Sequence, residues 1–472
     1  MNANQYRTIF KRSIRILLPV LLVFLMLLQL SCKKWLDKKP SQDLAVPKTL
    51  NDLQALLDNT NFNGYSPGYL EFVADNYYLT NLSWNNIIVP HYKAGYVWDK
   101  DIRAMPTIWK APYEAVYNSN FVLDFLPKKS EITASEGNRY DNIRGTALFF
   151  RAFMFHQLAQ LFCKPYSSTT AGNDLGIVLR LTSAIEPPST RSTVQHTYDQ
   201  VINDFKEAAG LLPVTNLFST RPNKAAAYGA LARVYLSMRN YDSAMVYADH
   251  SLSLNSSLLD YKLLTPGANS FLPSFINNPE ILFYSKENSY PEEVLGSAHK
   301  ALIDSFLYQS YDTNDLRKTI FFGANPVSPV TYYWRGSYYS DIPNIIFDGI
   351  AVDEVYLVRA ECRARTGNKD GAMDDLNELL RHRWKGNQFV NLIATDTTDA
   401  LNQILTERRK ELLFRGLRWS DLRRFNLDGA HITLTRGVLN GVTYNLPYDD
   451  LRWVLLIPDE EIRRSGIEQN PR

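Results

Sequence analysis

Cysteine is scarce in this 472-residue sequence, which contains only Cys32, Cys163 and Cys362. No CxxC pair and no Cys/His set occurs at metal-ligand spacing, so we expect no metal site and no cofactor. If Cys32 is modified, a disulfide between Cys163 and Cys362 is the most that the chain can form. We predict instead that both are small buried residues on helices, because free cysteine packs like a small hydrophobic side chain.

A surplus of charge of one sign is also lacking. The formal net charge is +2, and the first 31 residues carry Arg7, Lys11, Arg12 and Arg15 without any acidic residue. The rest of the chain is therefore slightly acidic. Nucleic-acid binding usually requires a basic surplus or stripe, so we expect no nucleic-acid partner. With 45% hydrophobic and 21% charged residues, the chain has the composition of an ordinary globular protein.

Familiar catalytic motifs are missing as well. The sequence contains no HExxH, Walker A or GxGxxG motif. The segment around Ser66 matches the letters of G-x-S-x-G, but a nucleophile elbow needs a strand before the serine and a helix after it, and Pro67 in an Asn-rich surround indicates a turn. We therefore expect no catalytic residue and predict a protein that holds a ligand without transforming it. A carboxylate pair brought together by loops, as in glycoside hydrolysis, stays open.

The amino terminus has the features of an export signal. Its basic residues precede the apolar run Ile16–Leu28, which is too short to span a bilayer comfortably. Ser31 then stands directly before Cys32, as in lipoprotein signals. We predict that Cys32 carries the lipid anchor, because several acyl chains on one residue would hold the protein stably in a membrane. The alternative is a secretory signal that merely ends near a cysteine.

Helical periodicity dominates the rest of the chain. One apolar stripe contains Trp109, Tyr113, Val116, Tyr117 and Asn120, and similar stripes run over 150–161 and 198–212. Two further regions match the roughly 34-residue period of tetratricopeptide (TPR) repeats, in which small residues let paired helices approach. Their key positions are Tyr228, Leu231, Ala232, Tyr235, Ala244, Ala248 and Ser251 in the first region, and Tyr356, Ala360, Ala372, Leu376 and Leu379 in the second.

The predicted fold is mainly α: a solenoid of TPR-like helical hairpins with an interleaved irregular ligand-binding region that contains short strands. Another hairpin begins near Leu148 and finds its second helix at Tyr198, and Leu401–Phe425 supplies a further helix pair. Stacking of the hairpins forms the core. The predicted boundaries are 1–31 for the signal peptide, 32–60 for the anchor and tether, 61–105 for an irregular ligand-binding segment, 106–254 for TPR-like helices, 255–345 for a second irregular segment, 346–426 for further TPR-like helices, and 427–472 for an irregular C-terminal segment.

Two groups of side chains within these segments could have specific roles. A charged cluster contains Glu407, Arg408, Arg409, Glu411, Arg418, Asp421 and Arg424, and we interpret it mainly as bracing between helices, with contact to a partner as the alternative. Aromatic residues interleaved with polar ones point to a ligand, because sugar rings stack on flat aromatic faces while polar side chains bond their hydroxyls. The ligand-binding candidates are Asp75, Trp84, Tyr96, Trp98, Tyr333, Trp334 and Tyr339, and the alternative for each aromatic is packing in the core.

Several segments resemble the SusD/RagB family of outer-membrane nutrient-binding lipoproteins. The start of the mature chain, Cys32–Pro40, is similar to the family's C-x₂-[FW]-L-D-x₂-P, and Trp109-x₃-Tyr113 with Asn120 is similar to its W-x₃-Y…N helix. Further similar segments are Arg144–Phe162, Tyr198–Ala209, Ala232–Leu236, Ile404–Arg424 and Leu456–Pro471, the fourth of them the most specific.

This resemblance implies a function as well as a fold. The expected protein is a glycan- or oligosaccharide-binding lipoprotein on the outer face of the outer membrane. Its expected partner is a SusC-like TonB-dependent transporter, to which it delivers nutrient. A peptide-binding uptake lipoprotein and an envelope hydrolase with an unrecognised site are the alternatives.

Overall fold

The computed structural model describes residue 47 and residues 49–101, 103–185, 188–264, 272–288, 294–295, 300–325, 329–338 and 345–472. The signal peptide, Cys32, the tether as far as residue 46, and Tyr339 lie outside these residues. Thr49–Arg472 forms one compact unit. Its helices are α1 (Leu50–Leu57), α2 (Asn81–Asn85), α3 (Pro90–Tyr96), α4 (Pro106–Phe125), α5 (Gly137–Phe162), α6 (Val194–Leu211), α7 (Lys224–Ser237), α8 (Tyr241–Leu254), α9 (Ser305–Gln309), α10 (Arg317–Ile320), α11 (Val352–Arg365), α12 (Lys369–Arg381), α13 (Thr397–Glu411), α14 (Arg418–Leu427) and α15 (Asp459–Ser465).

The strands are short and join in pairs. Over the described ranges they are β1 (Ser66–Pro67), β2 (Tyr77–Tyr78), β3 (Leu175–Val178), β4 (Arg191–Thr193), β5 (Ile281–Phe283), β6 (Glu287–Asn288), β7 (Leu302–Ile303), β8 (Phe322–Asn325), β9 (Thr331–Trp334), β10 (Ile350–Ala351), β11 (Leu434–Leu439) and β12 (Val442–Leu446). Strands β1 and β6 pair in parallel. The antiparallel pairs are β2 with β7, β3 with β4, β5 with β10, β8 with β9, and β11 with β12.

The predicted helical hairpins form and stack in chain order. Helix α5 packs between α4 and α6, α7 pairs with α8, and α11 pairs with α12 and also contacts α8. Ala232 and Ala360 are fully buried where the sequence predicts close helix approach. The mainly α prediction with TPR-like pairs is confirmed. Leu401–Phe425 contains two helices, parts of α13 and α14, as predicted, but they do not form a packed pair: α13 packs chiefly on α11.

Two of the hairpins turn in the same way. Arg239, between α7 and α8, and Gly367, between α11 and α12, have φ values of 63° and 93°, in the left-handed region. Asn240 and Asn368 follow, and each side chain caps the next helix by accepting a backbone N–H three residues on. A left-handed residue followed by an asparagine cap reverses the chain within a few residues, so both members of each pair can pack antiparallel.

The two helix-associated cysteines are buried, as predicted. Cys362 lies within α11, and Cys163 lies one residue beyond the end of α5, with exposed fractions of 0% and 1%. Both are free thiols. Trp109 on α4 is also buried, in an edge-to-face contact with Phe162. Near the C-terminus, Leu456 forms an isolated parallel bridge with Arg103.

The charged cluster braces the interior, which confirms the structural interpretation. Glu411 on α13 accepts hydrogen bonds from Arg317 and Arg383 at 2.9 and 2.7 Å. Arg317 also bonds Glu407 at 2.5 Å, and Arg383 bonds Glu280 at 2.6 Å. All of these side chains are buried. Losing one partner of such a pair typically costs about 3–5 kcal/mol, because the other charge is left without compensation.

Candidate ligand-binding surface

The two irregular segments that the sequence marks as ligand-binding lie side by side. Strand β2, from the first segment, pairs with β7, from the second, and places Tyr78 opposite Leu302. Helix α9 follows β7 directly, and β9 lies against β7 and α9. The junction therefore joins stretches of chain more than 200 residues apart in sequence.

Partly exposed aromatic rings collect at this junction. We call Tyr78, Tyr308, Tyr332 and Tyr333 the tyrosine surface. Tyr78 is 36% exposed, whereas its neighbour Tyr77 is 2% exposed, because successive strand residues point to opposite faces. The rings of Tyr308 and Tyr332 stack with centroids 3.5 Å apart and planes 14° apart. Tyr333 lies across Gly323 so closely that a Cβ there would come within 2.3 Å of the ring.

Charged groups lie next to these rings. Asp75 accepts hydrogen bonds from Arg418 at 2.7 and 2.9 Å, and its carboxylate lies 3.4 Å from Arg409. Arg409 also lies 3.9 Å from Asp304, which caps α9. Burial would raise the pKa of the Asp75 carboxyl, but Arg418, and then Arg409, hold that pKa well below its ordinary value. Asp75 is therefore a fixed anion, joined through Arg409 to Asp304, the carboxylate that lies near Tyr78.

The predicted aromatics of the first segment are buried. The exposed fractions of Trp84, Tyr96 and Trp98 are 8%, 1% and 3%. Their polar atoms bond backbone: the indole N–H groups of Trp84 and Trp98 donate to Lys93 O and Val73 O, and the Tyr96 hydroxyl accepts from Leu79 N–H. For Trp98 the alternative of packing in the core therefore holds, because core packing and these hydrogen bonds keep its ring inside.

An arginine from the distant C-terminal hairpin organises two of these rings. The guanidinium of Arg436 lies 4.1 Å from the ring centre of Tyr96 and 4.6 Å from that of Trp98. It also donates to the carbonyls of Ala74, Tyr77 and Tyr96 at 2.9, 3.1 and 3.0 Å. Aromatic faces and carbonyls thus replace the water that the buried cation loses.

The predicted aromatics of the second segment divide between core and surface. Trp334 is 7% exposed and stacks on Phe414, with ring centres 5.2 Å apart and planes 9° apart. The alternative of packing in the core therefore holds for Trp334 as well. Tyr333, the preceding residue, points to the other face of β9 and stays half-buried. Ligand binding stays a prediction for all seven candidates: Asp75, Trp84, Tyr96, Trp98, Tyr333, Trp334 and Tyr339.

The sequence candidates omit four residues that define this region: Tyr78, Tyr308, Tyr332 and Arg436. Tyr308 lies on a helix of one turn, too short for periodicity to show, and Arg436 contacts residues about 340 positions away. For Tyr78 a signal was available in the sequence. Successive strand residues face opposite sides, so only one residue of Tyr77-Tyr78, and one of Tyr333-Trp334, can face outward.

Ser66 is not placed for catalysis. It is fully buried, lies in the two-residue strand β1, and accepts a hydrogen bond from Gln157 at 3.1 Å. Turns, rather than a helix, follow it. A polymer cannot reach its hydroxyl in this position, which agrees with the interpretation of G-x-S-x-G as a chance match.

Two general features concern the helices and the loops that they carry. None of the helices in the described part of the chain is long and apolar enough to cross a membrane. Stacked helical hairpins carry the interleaved loops, and the loops present aromatic rings beside fixed charges. This combination defines a helical-repeat binding protein with an aromatic loop surface.

Comparison with known proteins gives the family. A family profile described as "Starch-binding associating with outer membrane" matches residues 34–236, and the "SusD family" profile matches residues 353–471. The chain belongs to the SusD/RagB family. Membership supports a sugar-binding protein of the outer membrane.

Individual relatives are distant in sequence but similar in fold. A SusD-like protein P2 from Formosa agariphila is 22% identical over 417 residues, which cover 77% of this chain and 79% of that protein. The structure of a putative sugar binding protein from Bacteroides vulgatus has a TM-score of 0.72 at 22% identity and covers 90% of this chain and 99% of that one. A SusD superfamily structure from Bacteroides thetaiotaomicron has a TM-score of 0.70 at 21% identity, with coverage of 90% and 100%.

Proposed function

We propose that this protein is an outer-membrane lipoprotein that captures a glycan or oligosaccharide outside the cell and delivers it to a SusC-like TonB-dependent transporter. Cys32 would carry the anchor. The observation that carries the binding role is the tyrosine surface, where partly exposed rings lie near the Asp304 carboxylate and the Arg409–Asp75–Arg418 group joined to it. Ring faces suit the C–H faces of sugars, and a few fixed polar groups orient the hydroxyls.

The surface favours binding over chemistry. The Asp75 carboxylate is held ionised by Arg418, so it is a poor proton donor, and Ser66 is buried. A glycoside hydrolase needs one carboxyl group that can donate a proton. Peptide capture is the remaining alternative, and the binding measurements below separate it from sugar capture.

The test compares surface rings with a matched ring elsewhere. Tyr78→Ala and Tyr308→Ala remove partly exposed rings of the tyrosine surface, and Phe218→Ala removes a ring that is 51% exposed outside it. We expect the two tyrosine variants, but not the phenylalanine variant, to lose retardation in gels that contain soluble starch, xylan, laminarin or dextran. Melting curves of all three should stay close to wild type.

Two outcomes would contradict the proposal. Equal retardation of all variants would place the site elsewhere. Release of shorter sugars from any of these polymers by the wild-type protein would favour the hydrolase. For the partner, we expect a TonB-dependent barrel to co-purify with the lipoprotein in mild detergent, and its absence under conditions that preserve other outer-membrane complexes would contradict the delivery role.

A further inference from the structure

A row of aromatic residues runs along α4. Trp109, Tyr113, Tyr117, Phe121 and Phe125 stand at four-residue intervals over the whole helix. An α-helix has 3.6 residues per turn, so residues four apart are neighbours, but each step also rotates the row by about 40° around the axis. A row that starts against the core must therefore emerge at the surface.

The exposure of the rings follows this rotation. Trp109 is 5% exposed, whereas Tyr117 is 45% and Phe125 is 44% exposed. Ring centres are 6.3 Å apart between Tyr117 and Phe121, and 4.3 Å apart between Phe121 and Phe125, the latter two stacked with planes 29° apart. Three adjacent rings thus form a continuous strip along the second half of the helix, with Tyr117 and Phe125 exposed and Phe121 half-buried between them.

The emerging row borders a groove of about 540 Å³. Its other walls are residues within 178–185, Ser189, and the C-terminal region around Glu461. The volume falls within the range of about 300–1,000 Å³ that is common for ligand sites. Tyr117 lies in both the groove and the strip, so the groove continues onto the exposed rings.

The far wall is fastened to α4 at several points. Tyr113 Oη donates to Val178 O at 2.8 Å and accepts from Val178 N–H at 3.0 Å. Asn120 Nδ2 donates to Arg180 O at 2.8 Å, and Asp124 accepts from the Ser183 N–H and hydroxyl at 2.6 and 2.7 Å. These bonds fix the groove before any ligand arrives, which lowers the entropic cost of binding.

The polar lining indicates the class of ligand. Lys110 and Arg180 contribute positive charge, Glu114 and Glu461 contribute negative charge, and Ser183 and Ser189 contribute hydroxyls. A phosphorylated or strongly acidic ligand would need a surplus of cations, and an apolar helix would need a continuous apolar lining. Donors and acceptors in balance beside flat rings match a neutral chain rich in hydroxyl groups.

We propose that this groove and the strip Tyr117–Phe121–Phe125 form a second carbohydrate-binding site, distinct in its residues from the tyrosine surface. Its ligand would be a neutral glycan chain, with sugar faces on the strip and hydroxyls bonded in the groove. The choice of ligand class rests on the proposed function. Two sites on one chain would let the protein hold a polymer at two points, which raises its overall affinity without new contacts at either site.

The experiment measures retardation of the full chain, in mild detergent, in gels containing soluble starch, xylan, laminarin or dextran. Tyr117→Ala combined with Phe125→Ala removes the two most exposed rings, and alanine suits a helix surface, so the melting temperature should not fall. We expect retention by at least one polymer to weaken about tenfold, the equivalent of 1.4 kcal/mol. Phe218→Ala is the matched control and should behave like wild type.

The other possible outcomes contradict either the second site alone or the second site together with the proposed function. Unchanged retention in the double variant, with loss in Tyr308→Ala, overturns the second site but leaves the proposed function in place. Such a result would also be the outcome if the strip contacts another protein. A wild-type chain that none of the four polymers retards overturns both proposals.

Discussion

Trp98 offers the clearest test of which aromatic residues belong to the core and which to the proposed binding surface. It is 3% exposed, its indole N–H donates to Val73 O at 3.0 Å, and the Arg436 guanidinium lies 4.6 Å from its ring centre. Truncating a buried tryptophan typically costs about 3–5 kcal/mol, and the unpaired carbonyl adds about 1 kcal/mol or more. We therefore expect Trp98→Ala to lower the free energy of unfolding by about 4–6 kcal/mol.

Its backbone gives a second, independent check. Trp98 has a φ of 53°, in the left-handed region, which costs an L-residue roughly 1–2 kcal/mol. In the wild type the packed and hydrogen-bonded side chain offsets this cost, whereas an alanine side chain would not. Trp98→Gly should therefore be no less stable than Trp98→Ala, although glycine normally destabilises. Urea unfolding followed by circular dichroism measures both variants, with Tyr78→Ala as the exposed control. If Trp98→Ala unfolds within about 0.5 kcal/mol of wild type, the range of a neutral surface change, the assignment of Trp98 to the core is wrong.

Three further predictions address packing, pH and the anchor. Ala232→Leu should overpack the fully buried contact between α7 and its neighbours and cost about 1–3 kcal/mol, seen as a lower melting temperature, whereas an unchanged value would contradict that packing. Burial raises the pKa of the Glu71 carboxyl to about 7, so the folded state favours its protonated form, and stability on the order of 3 kcal/mol should be lost as pH rises from about 5 to 8. Glu71→Gln should lack this loss in urea unfolding at both pH values, and parallel profiles for the two proteins would contradict it. Cys32→Ala should release the protein from the membrane fraction and abolish labelling by a fatty-acid probe, and unchanged attachment would remove the lipoprotein assignment.

The sequence predicts the scaffold well because helical packing is encoded locally. Ala232 and Ala360 stand at TPR-like positions, and both are fully buried between helices. The period of a helix and the need for small residues at close contacts are properties of neighbouring positions, so one sequence is enough to show them. The same holds for charges at three- and four-residue spacings, such as those of Asp421 and Arg424.

The binding surface could not be predicted equally well, because exposure depends on distant partners. Trp98 and Tyr78 look alike as aromatics in an irregular segment, yet Arg436, about 340 residues away, holds the ring of Trp98 in the core. No local pattern shows that contact. The row on α4 is different: its four-residue spacing is visible in the sequence, but only the rotation of the helix against the core shows which of its rings emerge.

The inward-facing and outward-facing rings of strands β2 and β9 differ in how much they contribute to stability. Tyr77 and Trp334 face inward and pack on Phe414, while Tyr78 and Tyr333 face the other way on the same two strands. An inward ring loses packing when it changes, but an outward ring at partial exposure loses little, because water already covers part of it. If sugars stack on the outward rings, as proposed, substitutions there should alter which sugar binds without unfolding the scaffold. The buried ion pairs and the inward rings fix the strands independently of any ligand.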